Sequence, residues 1–100
     1  MGRPATRLGD ADITHCTTPF RAMGSSNVFI NGRPASRQGD YNTVHLLPCS
    51  CPPCCCPHSA PIAVGSRSVF VNYRMAGRLG DPIAGCTFVG QGSPNVFIGG

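Results

Sequence analysis

Arg33-Pro-Ala-Ser-Arg-Gln-Gly-Asp40 is the stretch whose reading decides the fold, because the chain carries it in three versions. The first is Arg3-Pro-Ala-Thr-Arg-Leu-Gly-Asp10, and the third is Arg74-Met-Ala-Gly-Arg-Leu-Gly-Asp81. After each comes a variable loop and then a second shared module: Gly24-Ser-Ser-Asn-Val-Phe-Ile30, Gly65-Ser-Arg-Ser-Val-Phe-Val71 and Gly92-Ser-Pro-Asn-Val-Phe-Ile98. The 100 residues therefore read as one domain of three like units, at about 3–30, 33–71 and 74–98. Self-similarity on this scale sets the architecture before any single residue does.

Val28-Phe29-Ile30, Val69-Phe70-Val71 and Val96-Phe97-Ile98 are short β-branched and aromatic runs with Gly-Ser ahead of them, and we read them as strands. Three consecutive apolar positions ask for cover on both faces, one from the core and one from a neighbouring element or a partner. In Arg7 to Asp10, Arg37 to Asp40 and Arg78 to Asp81, the Gly permits the positive φ of a tight turn. The Asp accepts backbone hydrogen bonds a residue or two on, and the Arg serves as its ion partner or as a charge that blunts a sheet edge. A turn role outweighs a catalytic or recognition role for these Asp. Between units, residues 46–61 hold Pro48, Pro52, Pro53, Pro57 and Pro61, which excludes helix and central strand and predicts an irregular loop.

Thirteen Gly, ten Pro and a charged fraction of 12%, against about 25% in an average domain, describe a turn-rich all-β chain. A domain of this length buries only about two-thirds of its unfolded surface, so something beyond the core must help to hold it. Eight Arg, four Asp, no Lys and no Glu give a net charge of +4, and six of the Arg lie inside the repeated turns. The positive charge is thus scaffold chemistry first. No signal-peptide pattern and no run near the roughly 20 apolar residues of a membrane span are present, so we expect a chain that starts in the cytoplasm. Seven Cys in a reducing compartment favour metal binding over a disulfide framework. Five of them cluster as Cys49, Cys51, Cys54, Cys55 and Cys56; the Cys51/Cys54 pair has half-zinc-site spacing, but its neighbours blur the register and leave the reading open.

Five residues after each repeated Asp stands a metal-capable side chain: His15, His45 and Cys86. Imidazole, imidazole and thiolate at constant spacing describe three equivalent loops meeting at one ion. Cys16, beside His15, is the competing thiolate but lies off the repeated position.

Together with Gly80-Asp-Pro-Ile-Ala-Gly-Cys86, these modules resemble the Pro-Ala-Ala-Arg (PAAR) repeat family over essentially the whole chain, although none of the three turns is literally Pro-Ala-Ala-Arg. That family comprises the spike-tip proteins of type VI secretion systems and contractile phage tails. The resemblance implies a small cone of short strands with pseudo-threefold symmetry, its apex holding a metal bound by three His and one Cys. Carried onto this sequence, the set is His15, His45, His58 and Cys86, which uses every histidine. One structural Zn(II) suits a closed site of imidazole and thiolate, with iron as the other candidate, and would compensate for a thin core. The base of the cone sits on the blunt end of a trimeric β-helical spike. The uncovered faces of Val28, Phe29, Ile30, Val69, Phe70, Val71, Val96, Phe97 and Ile98 would be the docking surface, three similar edges for three partner chains. The implied function is to cap and sharpen the spike for membrane puncture, then to travel with it out of the cytoplasm. The modules run from Arg3 to Gly100, so we expect no fused effector and non-covalent recruitment of any cargo.

Two other classes compete. A zinc-stabilised basic nucleic-acid-binding module would use Cys, His and Arg together, but finger spacing and RNA-binding aromatic motifs are lacking and most Arg sit in turns. An enzyme built on Cys55 or Cys56 with His58, or on an open zinc, lacks a carboxylate near any His motif. We expect no enzymatic activity.

Overall fold

The computed structural model describes residues 2–14, 16–48 and 55–100, with backbone alone at Pro48 and Cys55. Among these residues there is no helix, and eight short strands form four antiparallel pairs. The chain is all-β. The strands are β1 (Arg3–Pro4), β2 (Phe29–Ile30), β3 (Arg33–Pro34), β4 (His45–Pro48), β5 (Cys55–His58), β6 (Phe70–Val71), β7 (Arg74–Met75) and β8 (Phe97–Ile98).

Each Phe-Ile or Phe-Val strand pairs with the Arg-Pro or Arg-Met head of a turn module: β2 with β3, β6 with β7, and β8 with β1 at the other end of the chain. The two-residue turns Asn31-Gly32 and Asn72-Tyr73 hold positive φ at both positions (55° and 77°, 54° and 66°), the pattern whose twist matches that of the strands it joins. Ahead of each strand, Ser25, Ser66 and Ser93 hydroxyls accept from the amides of Val28, Val69 and Val96, each at 2.9 Å. The preceding glycine is required by close approach: a Cβ on Gly65 would lie 2.5 Å from the Ala76 carbonyl oxygen.

The units are joined cyclically. Ser36 N donates to Thr6 O (3.1 Å), Thr6 N to Gly77 O (3.1 Å) and Gly77 N to Ser36 O (2.9 Å), a closed ring of three backbone hydrogen bonds formed by equivalent positions of the three turn modules. Outside that ring, Leu8 N donates to Pro34 O, Gln38 N to Met75 O and Leu79 N to Pro4 O. Asp10, Asp40 and Asp81, all buried, each form ion pairs with their own unit's Arg (Arg7, Arg37, Arg78) and with an Arg of another unit (Arg33, Arg74, Arg3). Gly9, Gly39 and Gly80 hold φ of 88°, 89° and 86°, as the turn reading requires. The Asp reach backward rather than forward, each accepting the amide of its own Arg three residues earlier at 2.7–2.8 Å. Turning the carboxylate inward is what lets one side chain bind two guanidinium groups.

Two small apolar clusters follow. One joins Ala5, Ala35, Val71, Ala76 and Ile98, with Ile30 and Val96 against it; the other joins Ala60, Ile62, Ile83 and Val89, with Cys86 against it. Among the described residues, four of the nine buried hydrophobic side chains are Ala, whereas fifteen buried residues are polar or charged. Hydrogen bonds and ion pairs therefore carry much of the specificity, with little apolar area beneath them. The body measures 40 × 24 × 23 Å.

Where it is described, the insert is not the irregular loop its prolines predict. β4 and β5 form an antiparallel ribbon with Leu46 opposite Pro57. A two-stranded ribbon is all edge, so proline is tolerated where its missing N–H would face outward. Leu46 accordingly spends its own backbone elsewhere: its N donates to Thr17 Oγ1 (2.9 Å) and its O accepts from Cys16 N (3.1 Å). The Cys49, Cys51 and Cys54 readings lie outside the described residues.

Candidate metal centre

Asp40 anchors its turn, and the chain then passes through residues 41–44 and enters β4 at His45. His58 ends β5 directly across from it. Opposed residues of an antiparallel pair share a face, so the imidazoles are neighbours, with ring centroids 4.6 Å apart and planes at 74°. Cys86 arrives from the third unit on a tight turn closed by Ile83 N→Thr87 O (2.8 Å) and Cys86 N→Ile83 O (3.0 Å), with Gly85 at φ 58°. The ligand atoms of His45, His58 and Cys86 all lie within 4.8 Å of one another.

The surroundings orient these donors. His45 Nδ1 lies 2.8 Å from Thr43 O. A carbonyl only accepts, so the neutral ring carries its proton on Nδ1 and turns the Nε2 lone pair toward Cys86 Sγ, 3.3 Å away. This is the backbone–histidine arrangement that fixes the tautomer of a metal-binding imidazole. Four-coordinate zinc with ligands at about 2.0–2.3 Å holds its donors about 3.3–3.8 Å apart, and the His45–Cys86 pair already has that spacing. Asn42 Nδ2 points at Cys86 Sγ (3.9 Å) and donates to Asp12 Oδ2 (3.1 Å), while Asn42 Oδ1 accepts from Ala60 N. Burial pushes the Cys86 thiol above its ordinary value of 9.0, with the Asn42 contact opposing it. A thiol that keeps its proton without metal and loses it to an ion suits reversible loading.

Below Asn42, Asp12 and Arg21 form a fully buried ion pair. Burial raises the Asp12 carboxyl above 3.8 despite the Arg21 charge and the hydrogen bonds from Arg21 and Asn42. Sequence reading missed this support. The clue was the second residue after each repeated Asp, which runs Asp12, Asn42 and Ile83 and so becomes apolar only in the third unit.

Of the four expected ligands, His45, His58 and Cys86 come together and His15 lies outside the described residues. Cys16, the rival thiolate, is disulfide-bonded, as is Cys56. For these two sulfurs that corrects the expectation of metal binding in place of disulfides, whereas Cys86 is a thiol within the metal group. Reasoning from compartment overlooks proximity: Cys16 N bonds to Leu46 O, seating the first-unit loop against the Cys-rich hairpin. A sulfur held in a disulfide has no thiolate to offer an ion.

The expected docking residues divide between surface and core. Val28, Phe29, Val69, Phe70 and Phe97 are exposed; Ile30 and Val96 are half-buried against the first cluster; Val71 and Ile98 lie within it and are removed from any outer surface. Compared with known proteins, the chain matches no family model and no curated protein.

Proposed function

We propose that this chain is a structural tip whose three units surround a pseudo-threefold axis, with one zinc ion at one end and a trimeric β-helical spike docked at the other. Its role is mechanical and not catalytic. It points and closes the spike of a contractile injection machine and recruits cargo non-covalently. The observation that carries the reading is cyclic equivalence. The ring Thr6–Gly77–Ser36 and the Asp10, Asp40 and Asp81 clamps repeat from unit to unit and return to the start, and the same units expose Phe29, Phe70 and Phe97 to nearly the same degree (55%, 56% and 57%). One chain that offers the same surface three times suits a partner made of three identical chains.

Zinc is the ion proposed because His45, His58 and Cys86, with His15 as the fourth donor, form a closed nitrogen and sulfur set suited to a structural role. Bound there, the ion would supply no chemistry beyond cross-linking the units: the second and third through His45, His58 and Cys86, and the first through His15. Disulfides at Cys16 and Cys56 suit a tip that acts outside the reducing cytoplasm. The nucleic-acid alternative loses ground because seven of the eight Arg are spent in ion pairs with Asp.

The test has two arms. Elemental analysis of the purified protein should find about one equivalent of zinc, reduced by His45→Ala, His58→Ala or Cys86→Ser. Purified trimeric spike from the same organism should bind one chain per trimer. A monomeric tip that ignores the trimer would end the reading, whatever its metal content.

A further inference from the structure

We propose that Tyr73 is the contact by which this tip grips one of the three spike chains more closely than the other two. The proposal rests on the spike-tip reading and adds a specificity residue to it. A two-residue turn with positive φ at both positions calls for Asn then Gly, as at Asn31-Gly32. The second unit keeps Asn72 but places Tyr73 where the Gly belongs, at φ 66°. In this conformation a ring-bearing residue weakens the folding equilibrium about tenfold relative to Gly. Burial within the chain returns nothing, because Tyr73 is 100% exposed.

A strained backbone under a wholly exposed aromatic side chain fits a contact made with another molecule. Tyr is also among the residues that dominate interface energies, with a rigid apolar ring and a polar tip. Tyr73 sits at the turn joining β6 and β7, three residues after Phe70, and the proposal assigns it to the surface that faces the spike. The occupant follows from the repetition there: three equally exposed Phe rings, presented by cyclically related units, match three equivalent chains. Tyr73 alone has no counterpart, since Gly32 and Gly100 occupy the equivalent places. The bound tip therefore gives one spike chain a ring that the other two lack.

Tyr73→Gly is the variant that tests this. It should fold, since Gly32 already holds this turn position with φ 77°. Its unfolding midpoint should rise by about 4–8 °C as the strain is relieved. Its affinity for purified spike trimer from the same organism should fall about tenfold, while Tyr73→Phe keeps most of it. Phe29→Ser, measured in parallel, should weaken binding as well. If Tyr73→Gly binds like the unmodified chain while Phe29→Ser is weakened, the role given to Tyr73 is overturned and the spike-tip reading stands. If the unmodified chain does not bind the trimer, both fall together.

Discussion

Arg21 Nη2 stands 2.8 Å from Asp12 Oδ2, with both side chains wholly buried, at the positions where the third unit has Val89 and Ile83. The equivalence is set by the backbone, since Arg21, Ile62 and Val89 each donate an amide hydrogen bond to the carbonyl of their repeated Asp. One unit thus solves with a buried ion pair what another solves with two aliphatic side chains. Removing one partner alone by Asp12→Ala should cost about 3–5 kcal/mol, because Arg21 is left charged and unpaired. The double change Asp12→Ile with Arg21→Val, copying the third unit, should come out near neutral. Its apolar gain is offset by the loss of the Asn42 amide's acceptor. Urea unfolding of Asp12→Ala and of the double variant decides it: a double change as damaging as Asp12→Ala refutes the equivalence.

The Asp clamps carry a second prediction. Asp40→Ala strands Arg37 and Arg74 and also deprives the Arg37 amide of its acceptor. The expected loss is about 3–5 kcal/mol, and Asp10→Ala and Asp81→Ala should match it closely because their contacts are the same. Widely unequal losses in chemical denaturation would mean that the three junctions are not equivalent.

At the centre, Thr6 Oγ1 is buried with no hydrogen-bond partner among the described residues, whereas Ser36 Oγ reaches Met23 O at 3.1 Å. Thr6→Val keeps the shape and removes the buried hydroxyl, so it should stabilise the fold by about 1 kcal/mol. A lower unfolding midpoint than that of the unmodified protein would contradict this.

The metal centre predicts a pH signature. Cys86 has a folded pKa above its ordinary 9.0, so the folded, metal-free chain holds the proton more tightly than the unfolded one. Its contribution is fully present below pH 9.0 and is lost as pH rises through the folded value. Chelator-treated protein should therefore lose stability above pH 9.0, and Cys86→Ser should lack that part of the slope. With zinc present the sign changes, because protons compete with the ion for sulfur and imidazole, and thermal stability should fall on acidification. Identical pH profiles for metal-free wild type and Cys86→Ser would remove the basis for this prediction.

Much of this molecule was legible in its sequence because repeats betray positions rather than just propensities. Three copies of Arg-x-Gly-Asp were enough to place the turns, and the spacing from Asp40 to His45 and from Asp81 to Cys86 brought two donors together across 41 residues. What stayed hidden was long-range or non-repeated. No local signal tells Pro57 that Leu46 turns its backbone toward Thr17, which is what admits a strand there. Charge counting could not foresee Arg21 in a fully buried place, because its partner lies nine residues back in a variable loop. The turn Asn72-Tyr73 went unread, and its strain became visible only in the backbone φ.

One consequence concerns synthesis. β1 finds its strand partner in β8, and Arg3 closes its ion pair on Asp81. Arg3 and Pro4 must therefore wait for their partners until Asp81, Phe97 and Ile98 have left the ribosome. Such sequence-distant closure is slow, so a nascent chain displays its Val-Phe-Ile segments to the surrounding cell until the circle shuts.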